Sequence, residues 1–184
     1  MKTIILGTAH LKSTPGKCSP DKKFLEYKYS REVCQAVKAI LKDLGYTVFI
    51  DIEEDDLKVT PSQELVKRCK IVNDLRSKYK NCIYISIHVN TAGADGKWHN
   101  ATGWSIFTSK GKTKGDVLAN CIYEAAKNNL KGKKIRVDFT DGDADFESNF
   151  YVLKHTNCPA VLTENFFQDT KSDVEYLTSD LGFH

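Results

Sequence analysis

Short apolar runs rich in β-branched residues recur along this chain, separated by stretches with the 3.6-residue period of amphipathic helices, and that alternation leaves few folds open. The runs are Ile4-Ile5-Leu6-Gly7-Thr8-Ala9, Tyr46-Thr47-Val48-Phe49-Ile50, Cys82-Ile83-Tyr84-Ile85-Ser86-Ile87, Gly103-Trp104-Ser105-Ile106-Phe107-Thr108 and Ala160-Val161-Leu162-Thr163. A helix is predicted over residues 29–44, with Val33, Val37, Ile40, Leu41 and Leu44 on one face and Gly45 as a left-handed cap. A second starts at Thr60-Pro61-Ser62-Gln63-Glu64 and runs to about Tyr79, turning Leu65, Cys69, Val72 and Leu75 inward. The third covers residues 114–130 through Leu118, Ile122, Ala125 and Ala126, and a short piece spans 172–177. Residues 135–137 and 150–153 read as short strands flanking an acidic surface or cleft-lining turn at 138–147, and residues 51–56 read as a solvated acidic loop. Strands that alternate with helices of this length need crossover connections, hence a mostly parallel sheet covered on both faces. Within 184 residues there is no repeat, low-complexity tract or linker. The expected fold is a single α/β domain over residues 1–184: a mostly parallel twisted sheet with helices on both faces.

Bulk properties exclude more than they assign. A formal charge of +3, scattered along the chain and not interleaved with aromatics, argues against nucleic acid as a partner. The longest apolar runs fall far short of the ~20 residues that span a bilayer. Because the N-terminus opens directly on a strand, no signal peptide is expected. The chain is expected to be made in the cytoplasm as a monomer, so action outside would need another release route. The six cysteines, Cys18, Cys34, Cys69, Cys82, Cys121 and Cys158, contain no C-x-x-C pair and read as buried, reduced thiols.

Chemistry gathers at the ends of three runs. His10, His88 and Glu164 each close a strand, and ligands of open parallel sheets bind beyond the strands' carboxyl ends. Two imidazoles and a carboxylate are groups that bind Zn²⁺ or act on a metal-bound water. Glu164, wedged between Thr163 and Asn165-Phe166-Phe167, would be costly to bury unless paired, protonated or near a metal. A catalytic zinc usually keeps three protein ligands, and the further candidates are Glu26, Glu32, Asp21, His99 and His155. Glu26 is favoured because it immediately precedes the first helix, whose N-terminus lies near the sheet's carboxyl edge. Asn90, Thr163 and Asn165 are candidates for substrate contact or for supporting the ligands. His184 is terminal.

Gly7-Thr8-Ala9-His10, Glu26 with Tyr27-Lys28-Tyr29-Ser30-Arg31-Glu32-Val33, Ser86-Ile87-His88-Val89-Asn90-Thr91-Ala92, and Pro159-Ala160-Val161-Leu162-Thr163-Glu164-Asn165-Phe166-Phe167 stand in an order that resembles the zinc-dependent N-acetylmuramoyl-L-alanine amidases of the type 3 family. The resemblance covers nearly the whole chain. It implies that His10, Glu26 and His88 are zinc ligands, that Glu164 is the catalytic carboxylate, and that the substrate is peptidoglycan. The bond cut would join the lactyl group of N-acetylmuramic acid to L-alanine of the stem peptide, in the cell wall, as in a wall-remodelling enzyme or a phage-type lysin. Two departures stand out. Leu11 replaces the glycine usual after the metal-binding histidine, and the family's usual further C-terminal helix is not evident before His184. Rival readings are a carboxypeptidase-like zinc enzyme acting on peptides, a catalytically silent wall-binding module, and a purely structural α/β domain.

Overall fold

In a computed structural model that describes residues 2–183, the β-branched runs form the parallel centre of a six-stranded sheet. Along the chain the strands are β1 (Thr3–Thr8), β2 (Thr47–Ile50), β3 (Cys82–Asn90), β4 (Ser105–Thr108), β5 (Phe146–Glu147) and β6 (Ala160–Phe167). Their spatial order is β2-β1-β3-β6-β4-β5. Neighbours from β2 to β6 run parallel, and the β4–β5 pair runs against β6. Helices α1 (Glu26–Asp43), α2 (Pro61–Lys78) and α3 (Lys114–Asn129) make the long connections. Shorter helices are α4 (Tyr151–His155), α5 (Lys171–Leu177) and α6 (Asp180–Phe183).

Each strand serves both faces because its side chains alternate. Ile4, Leu6, Val48, Ile50 and Ile87 pack under Val33, Cys34, Val37 and Leu41 of α1. Farther along that face, Ile106 and Val161 meet Leu118, Ala119 and Ile122 of α3. On the other face Ile5, Tyr84, Ala160 and Leu162 meet Cys69 and Val72 of α2 and Val152 and Leu153 of α4. Full burial of such a side chain is worth about 1.5–3 kcal/mol, so both helical layers are held mainly by this contact. The start of α2 is fixed locally: Gln63 N–H donates to the Thr60 hydroxyl, and Thr60 N–H donates to the Gln63 side chain.

Gly7 marks where the sheet floor is tight. A Cβ there would fall on the ring of Tyr84, whose hydroxyl donates to Asp51 Oδ2 at 2.9 Å. Gly7→Ala is expected to destabilise the fold by about 1–3 kcal/mol through overpacking, read as a lower midpoint in urea with little change in slope.

Several expectations need correction. α1 begins at Glu26, and Ile40 and Leu44 are exposed at 61% and 67%. Its buried stripe is rotated toward Tyr27, Ser30 and Cys34, because the Ser30 hydroxyl and the Cys34 thiol reach the backbone oxygens of Ile87 and Gly7. Ala125 and Leu65 also lie at the surface. The expected strand over 135–137 reduces to one bridge between Ile135 and Trp104. The run at 150–153 is largely helical, since one turn of α4 buries Val152 and Leu153 against α2. The 138–147 turn ends in edge strand β5 and buries Asp145, which accepts from the Thr108 hydroxyl. Asp51 and Ile52 are buried rather than solvated. Of the cysteines, Cys121 is exposed and Cys18 half-buried, the other four being buried. No helix among the described residues is long and apolar enough to cross a membrane. His184 lies outside the described residues.

Candidate functional site

His88 and Glu164 occupy paired positions on β3 and β6, so both side chains leave the same face of the sheet. Neither ends its strand, as the sequence alone implied: β3 runs on to Asn90 and β6 to Phe167, with a register shift after His88. His10 follows β1 and carries φ 36°, an uncommon value for a residue with a Cβ. Glu26 arrives from the opposite layer as the first residue of α1. Its side chain is only 1% exposed, and its Oε1 lies 3.2 Å from His88 Nδ1 and 3.7 Å from His10 Nε2. Val89 N–H also donates to this oxygen, whereas Glu26 Oε2 is buried with no partner.

One ligand atom from each of His10, Glu26 and His88 lies within 4.8 Å of the others. A tetrahedral zinc with bonds of about 2.0–2.2 Å keeps its ligand atoms roughly 3.3–3.6 Å apart, and the two Glu26–His separations, 3.2 and 3.7 Å, lie close to either end of that range. Charge fits as well. Burial pushes the His10 imidazole down to about 3, with His88 adding to the effect against Glu26, so its ring is neutral at ordinary pH. Burial opposes ionisation of Glu26, but the hydrogen bond with His88 and the electrostatic influence of the two neighbouring imidazoles hold its carboxyl below the usual range. Two imidazole nitrogens and one carboxylate with an orphaned oxygen form a donor set suited to a divalent cation.

Glu164 faces this cluster with a different character. Burial, then the neighbouring charge of Glu26, raises its carboxyl to about 8, and its Oε2 is enclosed without a hydrogen-bond partner. Two carboxylates with opposite shifts in one cleft divide the work: one stays ionised, while the other can exchange a proton near neutral pH. The cleft has a volume of about 330 Å³, its walls including Leu65 of α2 and Phe150 and Tyr151 at the start of α4.

Several supporting residues are not visible as motifs. The Arg31 guanidinium donates to the carbonyl oxygens of Ala9, His10 and Tyr27 at 2.9–3.0 Å, tying the His10 turn to the helix that carries Glu26. The Ser30 hydroxyl accepts from Ala9 N–H and donates to Ile87 O, which links the same helix to β3. Asn165 donates to the His88 carbonyl oxygen and accepts from Trp104 Nε1, while Thr163 accepts a further Asn165 bond. Both residues thus brace β3 and β6, while Asn90 lines the cleft.

The other candidate ligands lie elsewhere. Asp21 closes a turn with Ser19 and Lys23, and Glu32 pairs with Lys28 on an exposed helix face. His99 pairs with Asp95, and His155 stacks on Tyr151 with Nδ1 bonded to the Tyr151 carbonyl oxygen. None of the four belongs to the cluster.

A mostly parallel sheet with a histidine–glutamate–histidine cluster in a cleft beside a carboxyl of raised pKa defines an α/β domain with a candidate metal site. Residues 4–182 match the family described as N-acetylmuramoyl-L-alanine amidase, and the chain belongs to that family. It is 27% identical over 186 residues to a probable cell wall amidase LytH of Staphylococcus saprophyticus, covering 100% of this chain and 54% of the relative. To an endolysin of Bacillus phage SPP1 it is 28% identical over 151 residues, covering 81% of this chain and 49% of the relative. The chain thus spans about half the length of these relatives. The fold matches that of an N-acetylmuramoyl-L-alanine amidase from Clostridium difficile with TM-score 0.80 and 21% identity, covering 99% of this chain and 89% of the other.

Proposed function

We propose that this chain is a zinc-dependent peptidoglycan amidase that hydrolyses the amide between N-acetylmuramic acid and L-alanine of the stem peptide. The observation that carries the reading is the convergence of His10, Glu26 and His88 beside Glu164 in one cleft of a family member. His10, Glu26 and His88 hold the zinc, which when bound supplies a Lewis acid and a water acidic enough to react near neutral pH. Glu164 takes the proton from the attacking water and delivers it to the departing alanine nitrogen. Arg31 and Ser30 hold the ligand-bearing segments in register. Residues 1–184 act as one catalytic domain on the cell wall, as a monomer. The names of the relatives, a probable cell wall amidase and an endolysin, support the same substrate.

A defined muropeptide tests the reading by mass spectrometry. Free stem peptide is expected with zinc present and none after chelation; cleavage within the peptide instead would favour the carboxypeptidase-like alternative. His88→Ala is expected to weaken zinc binding beyond the ~10–100-fold lost when a group that merely hydrogen-bonds a ligand is removed. Unchanged zinc content by elemental analysis would remove His88 from the ligand set.

A further inference from the structure

Two buried thiols stand side by side at the end of the sheet away from the metal cleft. Tyr84 of β3 pairs with Ala160 of β6, and Tyr84 N–H donates to Pro159 O at 2.9 Å. Cys82 and Cys158 each lie two residues before that pair and pack in the same core cluster with it. Pro159 favours an extended backbone at Cys158, which carries the register on to the two cysteines. Neighbouring strands lie about 4.7–4.9 Å apart, inside the roughly 4.4–6.8 Å that separates the Cα atoms of a disulfide. The side chains already meet. Burial, then the charge of Cys82 and a hydrogen bond with it, push the Cys158 thiol up to about 12. Both cysteines are free, and they are 3% and 8% exposed.

Cys82 and Pro159 also border a cavity of about 620 Å³, and its walls carry Lys2, Arg76, Lys80 and Lys114 but no acidic residue. None of these four cations forms an ion pair among the described residues. Arg76 acts on the thiol pair as well, working against the rise at Cys158. Unpaired positive charge around a cavity concentrates anions there, and beside a thiol it favours the reactive thiolate. We propose that Cys82 and Cys158 are a redox-active dithiol, converted to a disulfide between β3 and β6 by a small anionic disulfide that enters through this basic cavity. The Cys82 thiolate attacks one sulfur of that oxidant, which gives a mixed disulfide and releases one thiolate to take up the proton Cys82 has lost. Cys158 then gives up its proton and attacks the Cys82 sulfur, and the second thiolate departs and takes that proton. Two protein thiols are oxidised, and one small disulfide is reduced to two thiols. Cys82 reacts first because it borders the cavity, whereas Cys158 holds its proton firmly.

Zinc-loaded protein carrying Cys18→Ser and Cys121→Ser, which removes the half-buried and the exposed thiol, tests the pair with oxidised glutathione as the probe. After acid quenching, alkylation in denaturant and peptide mapping, a Cys82–Cys158 linked peptide is expected, with Cys34 and Cys69 alkylated and no glutathione retained. The bridged protein should melt about 4–16 °C higher and return to its starting Tm with a phosphine reductant. Cys158→Ala in the same background should instead trap glutathione on Cys82. Glutathione is expected to oxidise the pair about tenfold faster at low salt than neutral hydroxyethyl disulfide does, once each rate is divided by that with free cysteine. That advantage should shrink as salt rises and with Lys80→Gln and Lys114→Gln together. Absence of the linked peptide, a bridge to Cys69, or glutathione left on Cys82 while Cys158 is intact would overturn the dithiol. Equal corrected rates for the two oxidants would overturn the role of the basic cavity.

Discussion

Glu164→Gln is expected to lower turnover of a muropeptide by about 10²–10⁴-fold while leaving the zinc content of the protein unchanged. Glutamine keeps the shape of the side chain but can neither take a proton from water nor return it to the leaving nitrogen. The metal is spared because the cluster consists of His10, Glu26 and His88, whereas Glu164 comes from the neighbouring strand. Rate by chromatography of released peptide and zinc by elemental analysis read the two effects separately; a wild-type rate would end the role assigned to Glu164. The same substitution has a signature in stability without metal. Burial and Glu26 raise the folded-state value to about 8 from an ordinary 4.5. The folded protein therefore holds a proton that the unfolded chain has lost between those values. Stability from this group is full below about pH 4.5 and is lost as pH rises through about 8. Metal-free Glu164→Gln protein should accordingly lose less stability than the unsubstituted chain between pH 5 and 9 (about the span of that window), measured as urea midpoints at each pH.

What the sequence discloses divides by physical range. β1, β2, β3 and β6 are legible because continuous apolar runs have no other stable place than the centre of a covered sheet. The start of α2 is legible too, since Thr60, Pro61 and Gln63 act within one turn. The run at 150–153 misleads because a short apolar segment has no period of its own, and contact with α2 decides for helix. Ile40 and Leu44 mislead for a different reason: the buried face of α1 is set by Ser30 and Cys34, whose polar atoms find backbone partners across the sheet. Of the site, His10, His88 and Glu164 declare themselves as polar groups closing apolar runs. Glu26 does not. Its position before a helix is shared by many ordinary acids, and only the topology that swings α1 over the sheet's edge brings it to the two histidines. Arg31 is less visible still, since its role depends on backbone carbonyls of a distant segment.

Arg68→Ala is expected to destabilise the fold by about 3–5 kcal/mol, the range for breaking a buried ion pair from one side. The guanidinium is 3% exposed and divides its bonds between both oxygens of Asp51 at 2.8 Å and Glu64 Oε1 at 2.8–2.9 Å. Although burial works against its charge, Asp51, Tyr84 and Glu64 raise its pKa above the ordinary range, so the group stays ionised. Its removal strands two carboxylates that are 5% and 3% exposed. Asp51 would keep bonds from Thr8 N–H, Ile52 N–H and the Tyr84 hydroxyl, so its charge would be partly met. Glu64 would lose its ion-pair partner altogether. For a chain of this size the loss corresponds to a Tm lower by about 6–20 °C, measurable by calorimetry on metal-free protein. Arg68→Lys should recover only part of it, because an ammonium's single nitrogen cannot reproduce the bonds that Nε, Nη1 and Nη2 make to the two carboxylates. The same guanidinium reaches the His10 carbonyl oxygen at 3.4 Å beside the stronger Arg31 bond. Zinc affinity of Arg68→Ala should therefore fall far less than that of His88→Ala. A large loss of metal with little loss of Tm would place Arg68 in the support of His10 rather than in the core.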